Sequence, residues 1–300
     1  MSSSKYLKKG DKVAILCPAS YINVDLTNAY SVLTEWGLTP VVYPSVAAQE
    51  NQFAGPDALR ASDLQEALDN HDIKAIIAGR GGYGTVRIID QLDFTNYRKH
   101  PKWIVGFSDI TVLHSHILTN YAIPTIHGQM VKTFLEASEA SLTTLRNALF
   151  GDNIDISYSA KGLPHREGEA TGILTGGNLA ILQSILGSTS DVNYDDKILF
   201  IEDVGESLYN IDRMLWSLKR AKKLHKLKGL IVGGFTELKD ADPSFGQGFM
   251  EIIADKVKEY DFPIAYGFPA GHINDNRALV FGRKITLSIL DNNVNIYYQH

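Results

Sequence analysis

Cysteine is almost absent from this chain, since Cys17 is the only one in 300 residues. A disulfide within the chain is therefore impossible, and the sequence is compatible with a reducing compartment. Cys17 follows the short apolar run of residues 13–16, where a small apolar residue at the end of a strand is typical. We therefore predict a buried structural cysteine rather than a reactive thiol.

Long apolar runs and a one-sided charge are also missing. No segment approaches the ~18 to 20 apolar residues that a membrane span requires. Lys5, Lys8 and Lys9 precede an apolar run, as in a signal peptide, but the run is short and Asp11 interrupts it, so we predict a first strand. The net charge is -5, and the charged residues, which make up 21% of the chain, are a mixture of both signs along the sequence. We expect a soluble cytoplasmic protein with neither nucleic acid nor a membrane as a partner.

Strands and helices alternate through the first half of the sequence. Apolar and β-branched runs predict strands at residues 12–18, 41–43 and 74–78, and helical spacing predicts helices at 23–36 and 57–70. The 74–78 run lacks the alternation of a half-buried strand, as expected when both faces of a sheet are covered. This order predicts a parallel sheet with right-handed crossovers, and we expect residues 122–126 to add an edge strand.

The second half has a more mixed pattern. It contains predicted strands at residues 168–174, 197–201, 229–235 and 278–287 and predicted helices at 179–186 and 211–224. Between the halves, the sequence loses its long helical faces and becomes richer in Gly, Asp and Ser. We predict an α/β protein with an N-terminal parallel-sheet domain at 1–150, a linker at 151–168 and a second, smaller, β-rich α/β domain at 169–300.

Residues 102–118 predict a strand, a sharp turn and a helix, with Ser108 at the turn. Such a turn presents a serine hydroxyl above the carboxyl edge of a sheet, beside the N–H of Asp109 and the start of a helix. The pattern G-x-S-x-G is incomplete, because Ile110 stands where the second glycine would be. Ser108 is therefore a candidate nucleophile, and the alternative is that Ser108 or Asp109 caps the helix.

Residues 79–84, Gly-Arg-Gly-Gly-Tyr-Gly, follow the predicted 74–78 strand. Glycines at such a turn let backbone N–H groups point outward and form a small anion pocket. The spacing is not G-x-G-x-x-G and the Lys-Ser/Thr of a P-loop is missing, so a nucleotide site is only weakly indicated. An oxyanion hole for acyl transfer is favoured, built from the Asp109 N–H and that of Gly81 or Gly82. The alternative is a turn made only for close packing.

A serine nucleophile needs a base, and the base needs an acid that orients it. His272 lies in a loop of small and polar residues before a predicted strand, which is typical of a site, and His127 is a second candidate. Glu202 and Asp203 end the apolar 197–201 strand, where a carboxylate is partly desolvated. The alternatives are an ordinary surface histidine and a helix-start signal. No metal-ligand motif such as His-Glu-x-x-His is present, so we expect no metal and no cofactor.

Five motifs occur in one order along nearly the whole chain. They are Arg80-Gly81-Gly82-Tyr83-Gly84 with Arg87, Gly106-Phe107-Ser108-Asp109-Ile110-Thr111, Thr175-Gly176-Gly177-Asn178-Leu179, Ile201-Glu202-Asp203 with Ile211-Asp212-Arg213-Met214-Leu215, and Gly271-His272. Together they resemble the LD-carboxypeptidases, a family of serine peptidases that includes murein tetrapeptide carboxypeptidases and microcin C immunity peptidases. The sequence is identified as a member of this family.

The resemblance implies a catalytic triad of Ser108, Glu202 and His272. It also implies an oxyanion hole formed by the N–H groups of Asp109 and Gly82. The fold it implies has an amidotransferase-like N-terminal α/β domain, a smaller C-terminal domain built largely on β-strands, and the site between them. The resemblance also implies a homodimer, and it implies neither a metal nor a cofactor.

The resemblance also bears on the substrate. It implies a small peptide, in the first place a murein tetrapeptide cut between the L-centre of its third residue and the terminal D-Ala, as in cell-wall recycling. Arg80 is a candidate partner for the terminal carboxylate, because guanidinium binds carboxylates through two hydrogen bonds, and its alternative is a structural ion pair. Tyr83 is a second candidate for substrate contact. Two alternative functions are a microcin C-type peptidyl-nucleotide amide hydrolase and a non-catalytic peptide- or carbohydrate-binding protein.

Overall fold

The computed structural model describes residues 4–299. Its first half alternates strands and helices as the apolar periodicity predicts. The strands are β1 (Lys12–Leu16), β2 (Thr39–Val42), β3 (Ile73–Ala78), β4 (Trp103–Gly106) and β5 (Thr125–His127). The helices are α1 (Thr27–Glu35), α2 (Asp57–Asp69), α3 (Thr85–Ile88), α4 (Thr95–Lys99), α5 (Thr111–Tyr121) and α6 (Glu139–Phe150).

The second half is richer in strands. These are β6 (Ile156–Ser159), β7 (Gly168–Asn178), β8 (Lys197–Val204), β9 (Gly229–Thr236), β10 (Ile264–Ala265), β11 (Leu279–Phe281), β12 (Lys284–Leu290) and β13 (Asn293–Tyr298). The helices are α7 (Leu179–Ser184), α8 (Leu208–Arg220) and α9 (Phe249–Lys256). Short 3-10 segments lie at Pro44–Val46, Ile89–Gln91, Ser108–Ile110 and Val131–Thr133.

The first sheet has the strand order β11-β5-β4-β3-β1-β2. Its strands pair in parallel except β11, which runs antiparallel to β5 and reaches this sheet from the far end of the sequence. The strand expected at residues 122–126 is present as β5, but the expectation that it lies at the edge of the sheet is wrong. The cause is a pairing between distant segments, Leu279 with His127 and Phe281 with Thr125, that no local pattern announces.

The second sheet has the order β10-β9-β8-β7-β12-β13-β6. On one side of β7, the strands β7, β8, β9 and β10 pair in parallel. On its other side, β12, β13 and β6 continue the sheet, and each pairs antiparallel with its neighbour. A parallel first sheet and a second, mixed sheet confirm the predicted fold class. Residues 151–168 are predicted as a linker, but they contain β6. Strand β11, from the predicted second domain, lies in the first sheet. The division of the chain at residue 150 stays a prediction.

The two sheets share one apolar core. Phe200 of β8 packs edge-on against His127 of β5, with ring centroids 5.0 Å apart, and lies 6.3 Å from the ring of Phe281 in β11. Val105 of β4 and Leu287 of β12 belong to the same buried cluster. Because removing apolar surface from water is the main stabilising contribution, this core holds the ends of β4 and β8 together. No helix within residues 4–299 has the length and apolarity needed to cross a membrane.

Candidate active site

Ser108 occupies a strained turn at the carboxyl end of β4. Its φ is 63°, in the left-handed region that a residue with a side chain rarely adopts, and such strain is concentrated at functional sites. Gly106 makes the turn possible, because a Cβ there would lie 2.7 Å from Cγ1 of Ile110. Neither Ser108 nor Asp109 forms a side-chain cap on the following helix. The alternative that they serve only as helix caps is therefore wrong.

Three side chains from distant parts of the sequence meet above this turn. His272 Nε2 lies 3.1 Å from Ser108 Oγ, and His272 Nδ1 lies 2.7 Å from Glu202 Oε2. Because a carboxylate can only accept, Nδ1–H donates to Glu202 and leaves Nε2 to accept the Ser108 hydroxyl proton. The structure thus brings the three predicted triad residues into one hydrogen-bonded line.

The loop that carries His272 is held by its neighbours. Gly271 has φ 116°, and a Cβ there would lie 2.9 Å from Glu202 Oε2, so the close approach requires glycine. The Gly271 N–H donates to Oδ1 of the fully buried Asn276 at 2.8 Å. On the other side, Gly234 N–H donates to Ala270 O at 2.9 Å, beside a register shift between β8 and β9. Bulges of this kind re-aim side chains next to active sites.

The charge environment favours a basic His272. Burial disfavours the imidazolium, but the hydrogen bond and negative charge of Glu202, with further contributions from Asp203 and Glu237, outweigh it and raise the pKa of His272. Glu202 has no exposed side-chain surface, and its Oε1 has no hydrogen-bond partner among residues 4–299. Its charge is therefore directed mainly at the imidazole.

The glycine turn lies next to the Ser108 hydroxyl. A Cβ placed on Gly81 would be 3.3 Å from Ser108 Oγ, so the missing side chain keeps space open there. Gly82 has φ 105°, and a Cβ on it would be 2.2 Å from Ser20 Oγ. The Asp109 carboxylate accepts from Thr85 N–H at 2.8 Å and so ties the Ser108 turn to the start of α3. Both predicted oxyanion residues, Gly82 and Asp109, therefore lie on turns that border Ser108.

The two predicted substrate-binding residues differ in their surroundings. Arg80 Nη1 donates to Tyr21 O at 2.5 Å, and within residues 4–299 no carboxylate pairs with Arg80. Burial and then the positive charge of Arg80 lower the pKa of Lys132, which places two cations near each other. Tyr83 is 46% exposed and packs against Phe53 with ring centroids 6.0 Å apart. The turn that borders Ser108 therefore carries a cationic and an aromatic side chain, which contact Tyr21 and Phe53 respectively.

Other candidate groups have structural roles. His127 is buried, and its Nε2 contacts Asn276 Oδ1 at 3.2 Å, so the second candidate base does not reach Ser108. His114 Nε2 donates to Gly106 O at 2.9 Å, and burial lowers its pKa to about 4. Cys17 is buried, and burial raises the pKa of its thiol to about 12. The prediction of an unreactive structural cysteine is confirmed.

One cavity lies at the carboxyl ends of the strands of the first sheet, and another lies at their amino ends. A cleft of about 200 Å³ is lined by Phe107, Gln129, Thr133, Glu136, His272, Ile273 and Asn274. A larger cavity of about 600 Å³ lies at the opposite edge, among residues that precede β1, β3 and β4, and contains none of the predicted site residues. Ligands of open α/β sheets collect at the carboxyl ends of strands, so the smaller cleft is the relevant one. Residues 4–299 contain no cluster of three or more metal-ligating side chains.

Comparison with known proteins defines the family. Residues 13–128 match the LD-carboxypeptidase N-terminal domain, and residues 171–287 match the LD-carboxypeptidase C-terminal domain. A probable murein peptide carboxypeptidase of Bacillus subtilis (strain 168) is 34% identical over 289 residues, which span 95% of this chain and 91% of that protein. The chain belongs to the LD-carboxypeptidase family, and the prediction of a serine-type peptide hydrolase is confirmed.

Solved structures agree with this assignment. A muramoyltetrapeptide carboxypeptidase from Oxalobacter formigenes superposes with a TM-score of 0.86 at 29% identity, over 96% of this chain and 99% of that one. An MccF-like protein from Bacillus anthracis str. Ames gives a TM-score of 0.87 at 25% identity, over the whole of both chains. Both comparisons extend over both sheets, so the likeness includes the elements that carry Ser108, Glu202 and His272.

Some residues around the site are not evident from the sequence. Asn276 orders the His272 loop, but its partner His127 is 149 positions away in the sequence. The sequence offers both Gly81 and Gly82 beside Ser108, and it does not show that Gly81 is the one that lies against the Ser108 side chain. A weak signal for Asn276 exists, since the 269–276 loop is rich in small and polar residues, and such loops often order a site.

Proposed function

We propose that this protein is a serine carboxypeptidase that removes the terminal D-Ala of murein tetrapeptides. The observation that carries the proposal is the hydrogen-bonded line from Ser108 through His272 to Glu202, formed across two sheets in a member of the LD-carboxypeptidase family. A protein that only bound peptides would gain nothing from a nucleophile, a base and an acid in this order. The alignment therefore supports catalysis over the non-catalytic alternative.

The proposed chemistry follows from the roles of the three groups. As Ser108 Oγ attacks the carbonyl carbon of the scissile amide, its proton passes to His272 Nε2. Glu202 holds Nδ1–H and stabilises the imidazolium that forms. His272 then gives the proton to the leaving D-Ala amine, the C–N bond breaks, and an ester to Ser108 remains. Water attacks that ester and gives a proton to His272, which passes it to Ser108 Oγ as the ester C–O bond breaks, and the shortened peptide leaves with a new carboxylate.

The proposed oxyanion hole consists of the Gly82 and Asp109 N–H groups. Two preorganised donors aimed at the developing oxyanion are among the largest contributions to acyl transfer. Two features support this assignment: the positive φ of Gly82 and the anchoring of Asp109 by Thr85 N–H, which together fix the two turns beside Ser108. The open space at Gly81 provides room for the tetrahedral oxygen.

Substrate recognition is proposed to begin with the terminal carboxylate. Arg80 has no acidic partner among residues 4–299 and lies near Lys132, so a carboxylate there would relieve the repulsion of two cations. The murein assignment is supported by the relatives, which are named as a probable murein peptide carboxypeptidase and a muramoyltetrapeptide carboxypeptidase.

A second candidate substrate is a peptidyl-nucleotide amide of the microcin C type. The MccF-like structure, at 25% identity, supports it. The exposed ring of Tyr83 next to Gly82 is suited to stack on a base. We also propose that the enzyme acts in the cytoplasm and forms a homodimer. Light scattering of the purified protein would test the homodimer.

One experiment tests both the activity and the choice of substrate. The protein is incubated with a murein tetrapeptide and, separately, with a peptidyl-nucleotide amide, and the products are identified by mass spectrometry. We expect loss of D-Ala from the tetrapeptide and a fall of about 10⁶-fold in kcat for Ser108→Ala, the scale of losing a nucleophile. Covalent labelling by a fluorophosphonate should occur in the wild type and not in the variant. Full activity of Ser108→Ala would disprove the proposed mechanism.

A further inference from the structure

A chain of hydrogen bonds links the start of α5, which follows the Ser108 turn, to β7 and β8 of the second sheet. Asn178 N–H donates to Thr111 Oγ1 at 3.1 Å, and Asn178 Nδ2 donates to Asp203 Oδ1 at 2.9 Å. Asp203 accepts two further bonds, from Ala180 N–H to Oδ2 at 3.0 Å and from Val204 N–H to Oδ1 at 2.9 Å. Thr111, Asn178 and Asp203 are all buried. We call these three residues the joint.

Two glycines bring the backbone close enough for the joint to form. Gly177 has φ 134°, and a Cβ there would lie 2.4 Å from Thr111 Oγ1. Gly176 has φ 140°, and a Cβ there would lie 1.9 Å from Phe200 O. The end of β7 can therefore lie against both α5 and β8 only with glycine at these positions. This accounts for the Thr-Gly-Gly-Asn motif, which the triad itself does not use.

The joint is connected at both ends to residues of the triad. Thr111 begins α5, three positions after Ser108, and Asp203 follows Glu202 directly in β8. Successive residues of a strand point to opposite faces, so Glu202 reaches His272 while Asp203 reaches Asn178. A displacement of the joint would therefore move the Ser108 turn relative to the strand that holds Glu202.

We propose, on the basis of the serine peptidase function proposed above, that Thr111, Asn178 and Asp203 are positioning residues that hold Glu202 and His272 in line with Ser108. Such alignment matters because a misplacement of about 1 Å between reacting groups can lower turnover by about 100-fold. None of the three residues is assigned a contact with the substrate, so their effect acts through the triad.

Asp203 has a second, electrostatic effect on the base. The charged and titratable groups that act on His272 are Glu202, which contacts it, Asp203 and Glu237, which raise its pKa from a greater distance, and His127, whose charge and that of His272 would repel each other. Burial and then the charge of Glu202 raise the pKa of Asp203 itself to about 6. At neutral pH Asp203 is therefore mostly ionised, and its removal should make His272 less basic.

The test compares Thr111→Val with Thr111→Ser in the full-length protein. Valine keeps the shape of threonine but removes the acceptor for Asn178 N–H, whereas serine retains it. We expect Thr111→Val to lower kcat by about 10- to 100-fold with KM within about twofold, and Thr111→Ser to restore most of kcat. A matched control is Thr144→Val, because Thr144 Oγ1 also accepts a backbone N–H, that of Ala278 at 3.0 Å, outside the triad. Thr144→Val should lower the melting temperature without lowering kcat.

Asp203→Asn supplies a readout that a purely structural role would not move. Loss of its charge should shift the acidic limb of kcat/KM to lower pH, whereas Thr111→Val should leave that limb in place. If Thr111→Val does not fold, the kcat of Asp203→Asn decides the question, because Asp203 accepts hydrogen bonds through both carboxylate oxygens and asparagine keeps only one of them. The positioning role is disproved if Thr111→Val, or in its place Asp203→Asn, keeps wild-type kcat, and the electrostatic effect of Asp203 is disproved if Asp203→Asn leaves the limb unmoved.

Ser108→Ala in the same assay separates the two proposals. An inactive Ser108→Ala together with wild-type behaviour of Thr111→Val and Asp203→Asn would overturn the role of the joint and leave the serine mechanism intact. An active Ser108→Ala would overturn the serine mechanism itself, whatever the other variants do.

Discussion

Glu202 lies fully buried beneath His272, with 2.7 Å between Oε2 and Nδ1. Because this carboxylate raises the pKa of His272, the imidazole stays protonated, and unable to accept the Ser108 proton, up to pH values at which an ordinary histidine would already be neutral. The pH dependence of activity is therefore a direct measure of this contact.

We predict that Glu202→Gln moves the acidic limb of kcat/KM to lower pH and lowers kcat. The limb moves because the pKa of His272 falls when the negative charge is removed, and kcat falls because the imidazolium formed during attack is no longer stabilised. A loss of about 10⁴-fold is expected by analogy with the acid of other triads. The measurement is a pH–rate profile, with Glu35→Gln, an exposed carboxylate in α1, as the control. An unmoved limb would contradict the assigned contact.

We predict that Gly81→Ala lowers kcat by about 100-fold without unfolding the enzyme. The new methyl group would lie 3.0 Å from Ser108 Cβ, so the serine must shift, and a displacement of this kind lowers turnover by about 100-fold. Gly248→Ala is the control, because a Cβ at Gly248 meets only the end of the Glu251 side chain, at 3.8 Å. Equal kcat in the two variants would show that the space beside Ser108 is not needed.

We predict that Arg80→Gln raises KM for peptides with a free terminal carboxylate and changes kcat little. Losing a charge-assisted hydrogen bond weakens binding by about 1.5 to 3 kcal/mol, or roughly 10- to 100-fold. Arg87→Gln is the control, since Arg87 follows the same turn but pairs with Asp57. Steady-state kinetics on acid and amide forms of one peptide would give the answer. Similar KM values for both arginine variants would remove Arg80 from the substrate site.

We predict that His114 makes the fold sensitive to acid. Burial lowers the pKa of His114 to about 4 in the folded protein, against about 6.5 in an unfolded chain. The stability that depends on a neutral His114 is therefore complete above about pH 6.5 and is lost as pH falls from 6.5 toward 4, by about 3 kcal/mol at most. Urea unfolding at pH 7 and pH 4.5 should show a smaller loss for His114→Gln than for the wild type. The exposed His225→Gln should match the wild type, and equal losses in all three proteins would contradict this prediction.

Local sequence patterns were sufficient to predict most of the first sheet and the turn that carries Ser108. β3 is a continuous apolar run because both of its faces are covered, and α2 has apolar residues at helical spacing because one of its faces is buried. Periodicity in the local sequence therefore identifies both elements. The Ser108 turn is similar, because Gly106 and the change from strand to helical spacing lie next to it. These features depend on contacts within a few positions of each other.

Other features depend on contacts between distant segments. The partner of β11 is β5, and the acceptor of the Gly271 N–H is Asn276, whose other contact is His127 in β5. The residues near Asn276 give only the weak signal of a loop rich in small and polar residues, and they do not identify its partner in β5. Likewise, the buried alternate residues of β13, Val294, Ile296 and Tyr298, do not specify the neighbours of this strand, which pairs with β12 and β6. Such pairings follow from tertiary structure alone.

The antiparallel placement of β11 has a consequence for biosynthesis. A ribosome must deliver Leu279 to Phe281 before β5 gains its outer neighbour, although β5 itself is translated some 150 codons earlier. Until then the nascent polypeptide carries an uncovered strand margin one strand away from β4, whose end already bears Ser108. Peptidase competence should therefore arise only after Leu279 to Phe281 have been translated.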